Sequence, residues 1–197
     1  RRGKLWTAWN SFPAPPMLAG SEELLAQVAM YCNSCGLAMS PFNAWQLLSG
    51  VETLSLRMEK QFDNALKIAQ WLQAQPQVQA VYYTGLSDHP QAALIRKQQN
   101  GGGIVIGFEV ADQEAAWKVV DGVELFSRTA NLGDVRSTIT HPWTTTHGRM
   151  QPEEKLAANI RPGLVRLSVG LEYVGDLIDD LKQEPCRCVW KNSSTTP

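Results

Sequence analysis

An arginine stands in the middle of an apolar segment close to the C-terminal end of the chain, at 164–169. The alternation of residue types there predicts a strand with Leu164, Arg166 and Ser168 on one face and only aliphatic residues on the other. A buried guanidinium without a counter-anion costs several kcal/mol, so Arg166 should face an anion. Its planar fork of N–H donors fits a carboxylate best.

The anion that faces Arg166 has two possible sources. It is either an acidic residue of the chain itself, such as Glu172 or Asp134, or the carboxylate of a ligand. Structural ion pairs are common, so the spacing alone leaves both open. The preceding loop favours a ligand, because several of its residues could donate hydrogen bonds toward a common point: Asn131, Gly133, Thr145, His147 and Arg149.

Several short motifs surround this arginine. They are Asn-Leu-Gly-Asp at 131–134, His-Pro at 141–142, Thr-Thr-His-Gly-Arg at 145–149, Val-Arg-Leu-Ser-Val-Gly-Leu-Glu at 165–172, and, upstream, Ser-Pro-Phe-Asn-Ala-Trp at 40–45 and Gly-Val-Glu-Thr-Leu at 50–54. Over about 20–183 the chain resembles the Cys/Met-metabolism enzymes that use pyridoxal phosphate (PLP). Within that family it is most similar to the O-succinylhomoserine sulfhydrylases.

The resemblance implies an α/β fold, the C-terminal small domain of a fold-type I PLP enzyme. Such a domain has a small, mostly antiparallel sheet with helices on one face, preceded here by a long linking helix at about 40–75. The implied activity replaces succinate on O-succinylhomoserine by sulfide to give homocysteine, for methionine biosynthesis. In that reaction Arg166 would bind the substrate α-carboxylate, Asn131 would add a hydrogen bond, mainly through its backbone, and Thr146 and His147 would form the adjacent wall.

The half of the family's site that binds PLP has no counterpart in this sequence. Lys4 stands near the expected spacing of the cofactor lysine before Ser40, but the residues around it lack the family motif. We therefore expect an unmatched segment at 1–20, the family domain at 21–184 and an irregular tail at 185–197. The catalytic and cofactor-binding residues stay unknown, and we expect the chain to begin where the cofactor domain ends and to be inactive alone.

Two other functions remain open at this point. One is a different activity of the same family, that of a cystathionine γ-synthase, a cystathionine γ-lyase or a methionine γ-lyase. The other is a truncated, non-catalytic domain that associates with itself. For the full-length enzyme the resemblance implies a homo-oligomer, usually a tetramer.

Composition agrees with a globular protein. The chain has 197 residues, of which 44% are hydrophobic and 19% charged, as is ordinary for such proteins. A net charge of −1 gives no electrostatic reason to expect nucleic acid or an anionic membrane as partner. There is no apolar run of about 18 residues and no signal peptide, so the cytoplasm is the expected location.

The cysteines and glycines offer weaker signals. Cys32 and Cys35 form a CxxC pair and Cys186 and Cys188 a CxC pair, which could together bind zinc. We favour reduced thiols and no metal, because one pair falls in a predicted helix and the other in the tail. The glycine run at 101–103 lacks a P-loop lysine and predicts a flexible turn. We interpret His89 as a solvent-exposed or capping residue rather than a ligand.

Apolar periodicity and capping residues predict the remaining elements. Helices are expected from Ser21 to a stop at Gly36, from Ser40 to Pro76 with a possible bend at Gly50, and at about 91–99, 112–120 and 173–183, and a short helix is expected to start at Gln151. Strands are expected at 78–83, 104–110 and 123–129, followed by a loop. No coherent element is predicted for 1–18, and an apolar surface including Trp45 and Leu48 should be left exposed.

Overall fold

The structure, a computed structural model, describes residues 5–7, 17–37 and 39–182; Lys4, Cys186 and Cys188 lie outside them. The strands are β1 (Leu5–Thr7), β2 (Met17–Ala19), β3 (Ala80–Tyr82), β4 (Val105–Glu109), β5 (Ser127–Arg128), β6 (Thr138–Thr140) and β7 (Leu164–Ser168). The helices are α1 (Glu22–Ser34), α2 (Pro41–Glu52), α3 (Leu54–Gln73), α4 (Ala92–Gln98), α5 (Gln113–Gly122), α6 (Pro152–Ala157) and α7 (Val174–Leu181).

Two compact units follow one another along the chain, divided between Ser55 and Leu56. In the first unit β1 pairs antiparallel with β2, with Trp6 opposite Leu18. The prediction that residues 1–18 contain no element was therefore wrong for these two strands. Each strand has three residues, and pairing across a proline-rich segment leaves no periodicity that a single strand could show.

Helix α1 begins and ends where its capping residues predict. The Ser21 hydroxyl accepts a hydrogen bond from the Leu24 N–H at 3.3 Å, and Gly36 after the last turn has a φ of 68°, a conformation that favours glycine. Leu24 is exposed, whereas Leu25 and Cys32, one face of the helix two turns apart, are buried.

The predicted linking helix at 40–75 is interrupted. Ser40 caps α2 by accepting from the Asn43 N–H at 3.2 Å, as expected, but the helix stops at Thr53 and α3 starts at the next residue. The break falls at a β-branched residue of lower helix propensity, while Gly50 stays helical. Trp45 and Leu48 on α2 are exposed, as expected of the apolar surface; the self-association that this suggests stays a prediction.

The second unit is built on a five-stranded sheet in the order β3-β4-β7-β6-β5. All neighbouring strands are antiparallel except β5 and β6, which are parallel. The strand that contains Arg166 is thus the central one. The predicted small, mostly antiparallel sheet is confirmed, as are the strands expected at 78–83 and 104–110.

Helices cover one face of this sheet. The buried core contains side chains of α3, α5 and α7 packed on alternate residues of β4, β6 and β7. Its members include Ala65, Ile68, Ala69, Leu72, Ala116, Val119, Leu177 and Leu181 from the helices, and Ile106, Phe108, Ile139, Val165 and Leu167 from the strands. This arrangement confirms the α/β architecture with helices on one face.

Two strand predictions need correction. The predicted loop after 129 contains β6, whose three residues are all buried and pair with β7. The strand predicted at 123–129 shrinks to the two residues of β5. The reason is Asp180 on α7, whose carboxylate accepts the N–H groups of 124–126 and so removes them from the ladder.

Candidate substrate-carboxylate site

Arg166 lies at the centre of the sheet, on the face opposite the helix-covered core. Its cross-strand neighbours are Gly107 on β4 and Thr140 on β6. Val165 and Leu167, on either side of it in the chain, are fully buried, so the alternation predicted from the sequence is confirmed. Gly107 contributes no side chain, and a Cβ at this position would meet Leu164 and Tyr82 at 3.6 Å.

The Arg166 guanidinium is half-buried and makes a single hydrogen bond within the described part of the chain. Its Nη2 donates to the Ala130 carbonyl oxygen at 2.8 Å. No carboxylate lies within ion-pair distance of it among residues 5–7, 17–37 and 39–182. Burial lowers the pKa of Arg166 from its ordinary value, but a guanidinium titrates far above neutral pH and stays charged.

The acidic residues that the sequence offers as internal partners are engaged elsewhere. The Glu172 carboxylate accepts both the backbone N–H of Ser137 at 2.7 Å and its hydroxyl at 2.9 Å. Asp134 accepts the N–H of Arg136 at 3.2 Å. The interpretation of Arg166 as half of an ion pair with Glu172 or Asp134 was therefore wrong.

A third acidic residue lies on the same face of the sheet. Glu109 ends β4, two residues beyond Gly107, and its carboxylate is buried. It forms an ion pair with Arg161 at 3.2 Å and accepts the Tyr82 hydroxyl at 3.0 Å. Burial, followed by this hydrogen bond, raises the pKa of Tyr82. The neighbouring carboxylate is thus already neutralised, and Arg166 is left with N–H donors to offer.

The loop that starts at Asn131 is fixed next to the Arg166–Ala130 contact. The Asn131 carbonyl accepts the Thr138 hydroxyl at 2.9 Å, and the Gly133 N–H donates to the Ser168 hydroxyl at 3.3 Å. Gly133 has a φ of 84°, a backbone conformation that glycine adopts without strain. The Asn131 N–H has no partner within the described residues, so it is a donor that a ligand could use.

Two buried amide side chains on α3 hold this loop and the segment that follows β7. Gln61 Nε2 donates to the carbonyls of Asp134 and Val169, both at 2.9 Å. Asn64 Nδ2 donates to Gly170 at 3.1 Å and to Glu172 at 2.9 Å. These residues were missed by the sequence analysis, since their only signal was a polar residue at two positions in register with the apolar stripe of α3.

Thr146 and His147 lie in the turn after β6. The Thr146 hydroxyl and His147 Nδ1 are 2.8 Å apart, and the His147 N–H donates to the Pro142 carbonyl at 3.0 Å. No hydrogen bond joins either residue to Arg166 or Asn131 in the part of the chain that is described. The link to the site runs through Thr140, the cross-strand neighbour of Arg166, whose hydroxyl lies 2.9 Å from that of Thr145.

Both ring nitrogens of His141 hold this turn. The sequence analysis assigned no such role to this residue. Its Nδ1 accepts the indole N–H of Trp117 at 3.2 Å and lies 2.8 Å from the Thr144 hydroxyl. Its Nε2 is 2.7 Å from the Pro162 carbonyl. A carbonyl only accepts and an indole N–H only donates, so we assign the neutral tautomer with the proton on Nε2. Burial lowers the pKa of His141, partly opposed by the Pro162 bond.

The chain can now be compared with known proteins. The sequence profile of the Cys/Met metabolism PLP-dependent enzymes matches residues 17–184. The chain belongs to this family. It is 45% identical over 166 residues to the O-succinylhomoserine sulfhydrylase of Pseudomonas aeruginosa, a match that covers 84% of this chain and 41% of that protein.

Solved structures of Cys/Met metabolism PLP-dependent enzymes share the fold. A putative O-acetylhomoserine (thiol)-lyase from Campylobacter jejuni, whose lysine carries a pyridoxyl phosphate group, matches with a TM-score of 0.74 and 39% identity over 80% of this chain and 38% of that one. A cystathionine γ-synthase from Xanthomonas oryzae matches with a TM-score of 0.77 and 40% identity over 84% and 43%. The fold-type I assignment is thereby confirmed.

The chain spans about two fifths of the length of the curated relatives it matches. Its family is PLP-dependent, so the fit of the described residues to that cofactor matters. Lys155 is the buried lysine among them, and its ammonium lies 4.7 Å from the centre of the Trp143 ring as a cation–π pair. This amine is engaged with Trp143, so among the described residues the buried lysine is not free to hold PLP.

Other ligand classes find less support in the same residues. Across 5–7, 17–37 and 39–182 no three His, Cys, Asp or Glu side chains are grouped as metal ligands would be. His89 Nδ1 accepts the Gln91 N–H at 3.1 Å in the turn before α4. No helix in these ranges combines the length and the apolar character needed to cross a membrane.

Proposed function

We propose that this chain supplies the substrate-carboxylate side of the active site in a PLP-dependent sulfhydrylase that acts on O-succinylhomoserine. One observation carries the proposal: a half-buried, permanently charged arginine at the centre of the sheet faces no carboxylate of its own among the described residues. The 45% identity to an O-succinylhomoserine sulfhydrylase supports the choice of substrate and of sulfide as the sulfur donor.

Arg166 would bind the α-carboxylate of the substrate through two parallel N–H···O bonds. Its Nη2 bond to Ala130 at 2.8 Å orients the fork before the substrate arrives, which lowers the ordering cost of binding. The partnerless N–H of Asn131, the next residue, would supply a further donor. Thr146 and His147 would form the wall of the site on the side of the turn after β6.

This role gives Arg166 a positioning function in the reaction. A substrate held at its carboxylate by two bonds has little rotational freedom, and that restriction accelerates the reaction of the adjacent α-carbon. PLP supplies the electron sink for that carbon when it is bound. The loop held by Gln61, Ser168 and Thr138 keeps the clamp from shifting between turnovers.

A hybrid enzyme tests the proposal. The N-terminal region of the Pseudomonas aeruginosa relative, the part that this chain does not cover, is joined to the chain, and PLP binding is checked by the visible absorbance of the lysine-bound cofactor. We expect the hybrid to form homocysteine from O-succinylhomoserine and sulfide. Preference for cysteine over sulfide would favour a cystathionine γ-synthase, and breakdown of methionine a methionine γ-lyase.

Variants of Arg166 then test the clamp. Arg166→Lys keeps the charge but loses the fork, and Arg166→Met loses both. Two charge-assisted hydrogen bonds are worth about 3–5 kcal/mol, so kcat/KM should fall by about 100-fold or more in Arg166→Met and less in Arg166→Lys. Arg96→Lys, at an exposed arginine of α4, is the matched control. Unchanged kcat/KM in both Arg166 variants would refute the clamp.

A second candidate is a non-catalytic domain that self-associates. The exposed apolar side chains of α2 favour it, among them Phe42, Trp45, Leu48 and Val51. A hybrid that binds PLP and turns over none of the amino-acid substrates would support this alternative. The cytoplasmic location and the homo-oligomeric assembly stay predictions of the sequence.

A further inference from the structure

The CxxC pair lies at the end of α1 and has no part in the function proposed above. Cys32 is buried, at 6% exposure, and Cys35 is exposed; both thiols are free. Cys35 is the C-cap of the helix. The Leu37 N–H donates to the Cys32 carbonyl at 2.8 Å and the Gly36 N–H to the Asn33 carbonyl at 3.3 Å, which is a Schellman motif.

The spacing of the two cysteines suits a disulfide after a small rearrangement. Residues three apart on a helix have Cβ atoms about 5–6 Å apart, whereas a disulfide needs about 3.5–4.5 Å. Cys35 lies at the boundary of the helix and is followed by Gly36, whose φ of 68° is already outside the helical region. The backbone movement that brings the two Cβ atoms together therefore falls on Cys35, which is not held in the interior of the helix.

Cys35 is the thiol that an incoming disulfide can reach, because it is exposed whereas Cys32 is buried. The thiolate is the nucleophile in thiol–disulfide exchange. The nearby Tyr31 phenol interacts with Cys35, chiefly through a hydrogen bond, and this interaction raises the pKa of Tyr31.

We propose that Cys32 and Cys35 form a reversible intramolecular disulfide, with exposed Cys35 as the attacking thiol and buried Cys32 as the resolving thiol. The Cys35 thiolate attacks a low-molecular-weight disulfide such as oxidised glutathione, forms a mixed disulfide and releases one thiolate. The Cys32 thiolate then attacks the Cys35 sulfur and releases the second. Two protein thiols are oxidised and one disulfide is reduced to two thiols.

The full 197-residue chain is suited to a direct test. The reduced protein is equilibrated in buffers with graded ratios of reduced to oxidised glutathione, free thiols are alkylated, and tryptic peptides are weighed. Peptide 5–57 contains both Cys32 and Cys35, while Cys186 and Cys188 fall on separate peptides, 183–187 and 188–191. The two cysteine pairs can therefore be read independently.

We expect a form of peptide 5–57 that carries no alkyl groups and is about 2 Da lighter than the reduced peptide, because two hydrogen atoms are lost when two thiols form a disulfide. Its share should rise with oxidised glutathione and vanish on reduction. Cys32→Ser should trap a stable glutathione adduct on Cys35, and Cys35→Ser should leave Cys32 free. These outcomes do not depend on the proposed enzymatic function.

Several results would overturn the proposal. One is full alkylation of both cysteines at every glutathione ratio. Another is a cross-link between peptide 5–57 and either peptide of the second pair. Retention of zinc after dialysis, lost in both cysteine variants, would assign the thiols to a metal instead.

Discussion

Replacement of Asp180 by alanine should destabilise the second unit strongly. Asp180 is only 2% exposed, and its two carboxylate oxygens accept the N–H groups of Glu124 and Leu125 at 2.9 Å and of Phe126 at 3.0 Å. Alanine would leave all three donors without a partner. These bonds join α7 to the segment that enters β5, which no backbone ladder supports at that point.

The size of the effect follows from the burial of each donor. The Phe126 N–H is buried. Removal of its charged acceptor leaves this donor without a hydrogen bond, which costs about 2–3 kcal/mol. The other two are partly buried and can bond to water, at about 1 kcal/mol each. We expect the free energy of unfolding to fall by about 4 kcal/mol. Asp180→Asn should lose less, because one amide oxygen can still serve Leu125 and Phe126.

Urea unfolding and amide exchange measure the change. With a urea dependence of about 2 kcal/mol per molar, 4 kcal/mol lowers the midpoint by about 2 M. Because the chain has two units and its unfolding need not be two-state, exchange of the 124–126 amides is followed by mass spectrometry as a local probe. The matched control is Asp179→Ala, which removes an exposed carboxylate paired with Lys182 at 2.9 Å and should change stability by under about 1 kcal/mol.

The reasoning would be refuted if Asp180→Ala and Asp179→Ala shifted the midpoint equally. It would also be refuted if the amides of 124–126 kept their protection in Asp180→Ala. A variant that does not fold at all would agree with the larger loss only if Asp180→Asn folded with an intermediate midpoint.

Two further predictions concern the turns around the candidate site. Because the pKa of His141 is lowered in the folded protein, the unfolded chain takes up the proton first as pH falls. Stability should therefore decrease below about pH 6.5 and level off below the folded pKa. In His141→Gln, a plot of urea midpoint against pH should lose this decrease, and an unchanged plot would contradict the assigned neutral tautomer. A Cβ at Gly163 would press on the Val110 carbonyl, whereas one at Gly107 would meet its nearest atoms at 3.6 Å. Gly163→Ala should therefore cost about 1–3 kcal/mol and Gly107→Ala under about 0.5 kcal/mol, and equal melting temperatures for the two would refute this assignment.

Elements whose signals are local were predicted from the sequence. Ser21, Ser40 and Asp112 were recognised as helix starts, and each accepts the expected backbone N–H in the structure. Alternation around Arg166 identified the central strand and its buried face. In each case the information lies within a few residues, where side-chain type acts directly on backbone conformation.

Features that depend on distant residues were not predicted. Strand β6 lies within a polar segment, and its burial depends on the neighbouring β7, 26 residues later or more. The shortness of β5 depends on Asp180, which is 54 residues from Phe126. The break at Thr53 rather than Gly50 shows a related limit, since glycine tolerates a bend without requiring one.

In the candidate site, the arginine could be predicted from the sequence, whereas the residues that hold the neighbouring backbone could not. A charge among aliphatic residues is visible at once, because it violates the local pattern. Gln61 and Asn64 give a weaker signal, because they are in register with the apolar stripe of α3 but polar residues on a helix usually face solvent. They are buried because the backbone carbonyls of Asp134, Val169 and Gly170 need hydrogen-bond donors, and these two amides supply them. The backbone around the candidate site thus depends on two amides about 100 residues earlier in the chain, and they act on backbone carbonyls, which give no signal in a sequence.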